Sequence, residues 1–224
     1  MAINLVKGQT IDLRKNDKGE TFDLSSVTIG LGWDVRQKPS SGFLGKLFGS
    51  AEEEEYDLDA VAFLLNNNGK VANLGRSIQR NGRNVSMFEG DVIYFNSMRH
   101  PSGHIWLTGD NRTGAGDGDD EQIIVKLDSL DMKYDRIVFA VSIYQGRQNN
   151  QNFGMVRNAF IRAEDNKGKK IARFSLSGDA TYNGMCSMTF AEVYRKEGTW
   201  KFRAIGEPHP TDSFVEIMER NYLA

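Results

Sequence analysis

Apolar residues along this chain fall in short runs, rich in β-branched and aromatic side chains and broken by Gly, Asn and Asp, a pattern that predicts strands. Val27-Thr-Ile-Gly-Leu-Gly-Trp33 is the first clear run. Others span 57–65, 91–95, 104–108, 122–127, 136–144, 159–163, 170–176, 185–194 and 200–205. About ten strands in one chain predict an all-β fold, a β-sandwich of two packed sheets. Helical signals are few. Asn152 to Arg157 predicts one turn of helix. Thr211 to Tyr222 predicts a C-terminal helix, with Phe214, Ile217, Met218 and Tyr222 at helical spacing and Thr211 or Asp212 as its cap. That stripe is expected to dock on the body of the protein.

Between Gln37 and Glu55 the composition changes to Pro, Ser and Gly, then Phe43-Leu44-Gly45-Lys46-Leu47-Phe48, then four consecutive glutamates. Strand-like sequence flanks this stretch closely, so it reads as a flexible insertion in a single domain spanning 1–224. No internal repeat of useful period is present.

Charge changes the picture only locally. The 28 Lys and Arg nearly balance the 30 Asp and Glu, so no overall field attracts nucleic acid, and none is expected as a partner. The one cysteine, Cys186, makes no internal disulfide and suits a reducing compartment. Met1 to Thr10 lacks the apolar stretch of a signal peptide, and no run of about 18 apolar residues predicts a membrane span. A cytoplasmic protein is expected, reaching the inner face of a membrane only through partners.

The densest chemistry lies in Gly109-Asp-Asn-Arg-Thr-Gly-Ala-Gly-Asp-Gly-Asp-Asp-Glu121, where five carboxylates share a loop with one arginine. Without a cation they repel one another at close range. Calcium takes six to eight oxygens at about 2.3–2.6 Å, and glycines let a backbone wrap closely enough to offer its carbonyls. Asp110 and Glu121 are spaced like the ends of an EF-hand loop. Arg112, Gly114 and Ala115 nevertheless stand where that motif needs oxygen ligands or glycine, and strand-like flanks replace its helices. A second acidic pair, Asp57 and Asp59, lies by alternation on one face of a strand, ahead of the apolar Ala60 to Leu65. Glycosyltransferase Asp-x-Asp pairs usually follow their apolar strand, the reverse order. Asp34, after Gly30-Leu-Gly-Trp33, is a third candidate, with a turn aspartate as the plainer alternative.

Three segments, taken in order, resemble the TerD family of tellurite-resistance and stress proteins: Gly30-Leu-Gly-Trp-Asp34, Asp57-Leu-Asp-Ala60 with Phe63-Leu-Leu65, and the loop Gly109 to Glu121. Leu5-Val-Lys-Gly-Gln9, Phe153-Gly154, Asn158-Ala-Phe-Ile-Arg162, Ala172-Arg-Phe174 and Trp200-Lys-Phe-Arg-Ala204 extend the likeness over nearly the whole chain. The resemblance implies a two-sheet sandwich that binds two calcium ions at one end, in bacterial systems protecting against tellurite, phage and colicins. Its ligand pattern carries over to Asp34, Asp57, Asp59, Asp110, Asn111, Asp117, Asp119, Asp120 and Glu121, with Thr113 and nearby carbonyls as helpers. Ala115 stands where the family often has an acid, which puts the second ion in question.

These readings imply a calcium-binding scaffold module that works with other proteins of a tellurite-resistance system, a membrane-embedded one included. The alternative is a metal-dependent nucleotide-binding or hydrolytic enzyme using the same acids. Against it, His100, His104 and His209 show no metal spacing, and neither a phosphate-cradling Gly-rich loop nor a Gly-x-Ser-x-Gly elbow occurs. A third option is calcium-bridged binding to anionic lipid through Phe43, Leu44, Leu47 and Phe48. One lysine in that patch gives little attraction for acidic lipid.

Overall fold

The computed structural model describes residues 2–15, 19–35, 56–108, 119–176 and 180–223, without the side chains of 34, 35, 176 and 180. The insertion expected at 37–55 lies outside the described residues. Fourteen strands are present among the described residues: β1 (Ile3–Leu5), β2 (Thr10–Asp12), β3 (Val27–Val35), β4 (Leu58–Asn66), β5 (Arg76–Arg80), β6 (Arg83–Phe88), β7 (Val92–Ile93), β8 (Ile105–Leu107), β9 (Glu121–Val125), β10 (Tyr134–Ile143), β11 (Val156–Glu164), β12 (Lys170–Leu176), β13 (Ser187–Lys196) and β14 (Thr199–His209). One six-stranded sheet runs β1-β12-β11-β3-β9-β8 and the other β2-β14-β13-β10-β4-β7. Only the β1–β12 pair is parallel among the described pairings.

The two sheets pack because alternate residues of facing strands are apolar. Val27, Ile29, Leu31 and Trp33 of β3 meet Leu58, Ala60, Ala62 and Leu64 of β4, Ile137, Phe139 and Val141 of β10, and Trp200 and Phe202 of β14 in one buried cluster. The other face of β4 is apolar as well. Val61, Phe63 and Leu65 form a second cluster with Ile217 and Met218 of the C-terminal helix α1 (Phe214–Asn221), against which Phe214 and Tyr222 are partly buried. The expected stripe therefore docks on the outside of the second sheet. Its cap is Ser213, which accepts from the Glu216 amide, and not Thr211 or Asp212. Thr211 Oγ1 instead accepts from Ser213 N, and Asp212 from Arg147 N.

Every run read from the apolar pattern coincides with a strand, but Asn152 to Arg157 is no helix. Residues 153–155 form a turn, and Val156 already pairs with Val35 in β11. Missing from the pattern were the short edge strands β1 and β2 and the polar ribbon β5–β6, whose turn is the sharper case. The ribbon closes through Asn81 (φ 51°) and Gly82 (φ 76°), both left-handed, the conformation that favours Asn-Gly in two-residue hairpins.

At the end of the sandwich where β4 finishes and β10 starts, a buried polar network replaces apolar packing. Asp91 Oδ1 accepts from the Tyr134 hydroxyl at 2.6 Å and faces His100 Nε2 at 3.2 Å, and its Oδ2 accepts from Asn73 N at 2.9 Å. Ser102 N donates to His100 Nδ1, which assigns the ring hydrogen to Nε2, the atom that donates to Asp91. Burial raises the Asp91 pKa, yet the hydrogen bonds from His100, Tyr134 and Asn73 outweigh it and hold the carboxyl below its ordinary value.

Two predictions follow from this packing. Ile217→Ala, which empties a site 1% exposed under α1, costs about 2–5 kcal/mol in urea unfolding, and a change below about 0.5 kcal/mol contradicts the docking. A depressed folded-state pKa makes Asp91 stabilising above its unfolded value of about 3.9 and neutral once pH falls through the folded one. The stability gap between wild type and Asp91→Asn therefore narrows as pH drops from about 7 to about 3, and a constant gap contradicts the network.

Candidate metal centre

The described parts of the three acidic segments, at Asp34, Asp57 to Asp59 and Asp119 to Glu121, lie at the opposite end, where β3 finishes and β4 and β9 begin. The pairing Leu31↔Glu121 ends the β3–β9 ladder, and β3 runs on through Trp33 and Asp34. Asp120 continues the pairing by other means. Its amide donates to Leu31 O at 2.8 Å, and its Oδ2 accepts from Trp33 N at 2.8 Å, standing in for the carbonyl a longer strand would offer.

Glu121 ties the two sheets together. Along β4, Leu64 N donates to Asp91 O beside the two-residue β7, which pairs only at Ala62 and Phe63. Ala60 N, two residues earlier on the same edge, lies past the end of β7. The Glu121 carboxylate crosses from the first sheet and accepts from it at 2.5 Å, and the residue is only 2% exposed. Asp57 and Asp59 sit beside this crossing. Asp57 is half-buried and its carbonyl accepts from Tyr144 N at 2.7 Å, whereas Asp59 is 8% exposed and pairs in register with Ser142. Leu58 and Ala60 face the shared core, so alternation puts Asp59 on the other side of β4, in line with Val61.

Asp119 takes a third direction. Arg162, Gly30 and Gln122 stand side by side across β11, β3 and β9. The Asp119 carboxylate lies over Gly30, where any Cβ would overlap it, a close approach that explains a glycine inside a strand. Arg162 grips it with two contacts, Nε to Oδ1 at 2.5 Å and the terminal nitrogen to Oδ2 at 2.7 Å, and Gln122 Nε2 donates to Oδ2 at 3.1 Å. The Asp119 side chain is fully buried and that of Arg162 is 21% exposed. The hydrogen bond to Asp119 raises the Arg162 pKa, with burial opposing and the charges of Asp119 and Glu164 adding to it. Arg162, Gly30, Gln122 and Ala60 were not singled out from the sequence, although a Gly-x-Gly inside a strand signals a close approach.

The structure thus gathers the backbones of Asp34, of Asp57 to Ala60 and of Asp119 to Glu121, and spreads the described carboxylates over different sides of the strands. Among the described residues no three His, Cys, Asp or Glu side chains are grouped to hold an ion. Asp110, Asn111, Thr113 and Asp117 lie outside the described residues, as does the side chain of Asp34, whose backbone pairs with Arg157. The donors described at this end are carboxylate oxygens beside β4 and at the start of β9, a donor type that suits a hard cation such as calcium and not a soft one. The Trp33 indole, 3% exposed, is buried alongside them in the gap between the sheets, and its Nε1 has no hydrogen-bond partner among the described residues.

The sequence profile of the TerD domain matches residues 1–220. The chain belongs to the TerD family. It is 56% identical over 223 residues to tellurium resistance protein TerX of Serratia marcescens, with all of both chains covered. Tellurium resistance protein TerD of the same organism is 37% identical, with 92% of this chain and 91% of the relative covered. Stress response protein SCP2 of Bacillus subtilis (strain 168) is 37% identical, with 98% and 99% covered. None of these three names describes an enzyme. The crystal structure of a homologue of the telluride resistance protein TerD from Streptomyces coelicolor A3(2) superposes with a TM-score of 0.59 at 22% identity, covering 89% of this chain and 99% of that one, and shows the fold. No helix among the described residues of this TerD-family chain is long and apolar enough to cross a membrane.

One prediction tests the crossing carboxylate. Glu121→Ala leaves the Ala60 amide without its acceptor and costs about 1–3 kcal/mol in denaturant unfolding. A neutral outcome would show that the two sheets do not rely on this tie.

Proposed function

We propose that this TerD-family protein is a calcium-binding module of a bacterial tellurite-resistance or stress-response system, acting as a scaffold for partner proteins and not as an enzyme. The observation that carries the reading is the meeting of the β3, β4 and β9 ends, joined by Asp120 to Trp33 N and by Glu121 to Ala60 N. Carboxylates at such density and depth are stable only when hydrogen-bonded, paired or bound to a cation. Asp57, Asp59, Asp120 and Glu121 supply oxygens from the strands. Asp34, Asp110, Asn111, Thr113 and Asp117 supply the rest from the end of β3 and the loop 109–118, together enough for two ions. When bound, calcium supplies positive charge and a fixed geometry for the loop, while the protein supplies the oxygens and a dry floor built around Trp33. Relatives named for tellurium resistance and for stress response support this reading, and a cytoplasmic location with a membrane-embedded partner fits it.

Calcium at about 100 times its dissociation constant stabilises the protein by about 2.7 kcal/mol, which raises the thermal midpoint of a chain this size by roughly 5–10 °C over the chelated protein. Equal midpoints, together with no heat of binding in calorimetry, would overturn the proposal.

A further inference from the structure

On the calcium reading above, the loop's carboxylates need not all be ligands, and Asp119 differs from its neighbours. A carboxylate offers about four lone-pair directions, and three are already used on Asp119, two by the Arg162 fork and one by Gln122 Nε2. Its side chain is fully buried, its seat is shaped by the absence of a side chain at Gly30, and its charge is matched by a guanidinium in the geometry of the strongest charge-assisted pairs. Asp120 and Glu121 turn elsewhere, to Trp33 N and Ala60 N.

We infer that Asp119 is the strut of the acidic loop and not one of its calcium ligands, and that Arg162 is the positioning residue that neutralises it. The fork ties the loop's exit to β11 on the outer side of the first sheet. One of the loop's five negative charges is thereby paired inside the protein with a guanidinium that also contacts Glu164, and the loop's end stays fixed before any ion arrives. Arg162 acts on the ion through Asp119, as outer partners of metal ligands do.

Asp119→Asn, Arg162→Gln and the double variant test this by apo thermal midpoint and by calcium calorimetry. Each single change breaks a buried pair and lowers the apo midpoint, Arg162→Gln more because it leaves a buried charge uncompensated. The double variant recovers part of the loss. All three keep the wild-type number of ions per chain, with affinity weakened by about 10–100-fold, as expected for loss of an outer partner. If Asp119→Asn and the double variant lose an ion while Arg162→Gln retains the full number, Asp119 is a ligand and the inference fails. If wild type takes up no calcium, the calcium reading fails separately, and the apo midpoints decide the strut: recovery in the double variant supports it and additive losses overturn it. Should Asp119→Asn not fold, Gly30→Ala disturbs the same seat without touching a charge. It lowers the apo midpoint and, in a calcium-binding wild type, leaves the ion number unchanged, and an unaltered midpoint overturns the strut.

Discussion

A two-residue β7 leaves the Ala60 amide beyond the end of its neighbour strand, and a carboxylate from the opposite sheet reaches across the sandwich to accept it. The arrangement at that end depends on this crossing. It joins β4 to β9 and keeps the mouth of the sandwich polar at the edge of a core that contains Trp33 and Leu58. A buried carboxylate is an expensive tie, because its charge must be answered in a medium that screens little. Where hydrogen bonds answer part of the charge, a divalent ion is the natural answer to the rest. The acidic loop leads directly into the strand that carries the crossing residue.

The two ends of the sandwich solve the same problem differently. Around Asp91, a hydroxyl, an imidazole and a backbone amide converge on one carboxylate, and the protein's own donors hold its charge. At the acidic end, the described carboxylates turn to different sides of the strands, and Arg162 on the outer side is shared by Asp119 and Glu164. The first end is complete with the protein's own groups. The second has one of its charges paired with Arg162, and in the function proposed above calcium answers the others.

Much of this was legible in the sequence, for identifiable reasons. Strands such as β4 and β10 are apolar on alternate or on both sides, so burial writes itself into the pattern. The C-terminal helix shows because Phe214, Ile217, Met218 and Tyr222 recur at the spacing that one helical face requires. The ribbon β5–β6 stayed hidden because it stands outside both sheets and has little to bury, with Val85 the one fully buried residue on its strands. The turn at Asn81-Gly82 was the signal available. Around Asn152 the polar run imitated a helix start, but Val156 was already bound to β3. The acidic segments announced themselves by charge density. Which way each carboxylate turns was not written there, since it depends on pairings between residues far apart in the chain, Glu121 with Ala60 and Asp119 with Arg162.

The most direct measurement is a calcium titration followed residue by residue in amide and indole NMR spectra of the isotope-labelled protein. The account predicts that shifts concentrate on Trp33, including its indole N–H, on Asp57 to Ala60 and on Asp120 and Glu121, while Asp91, His100 and Tyr134 at the far end stay in place. Spectra that do not respond to calcium, or that respond at the Asp91 end instead, would contradict it.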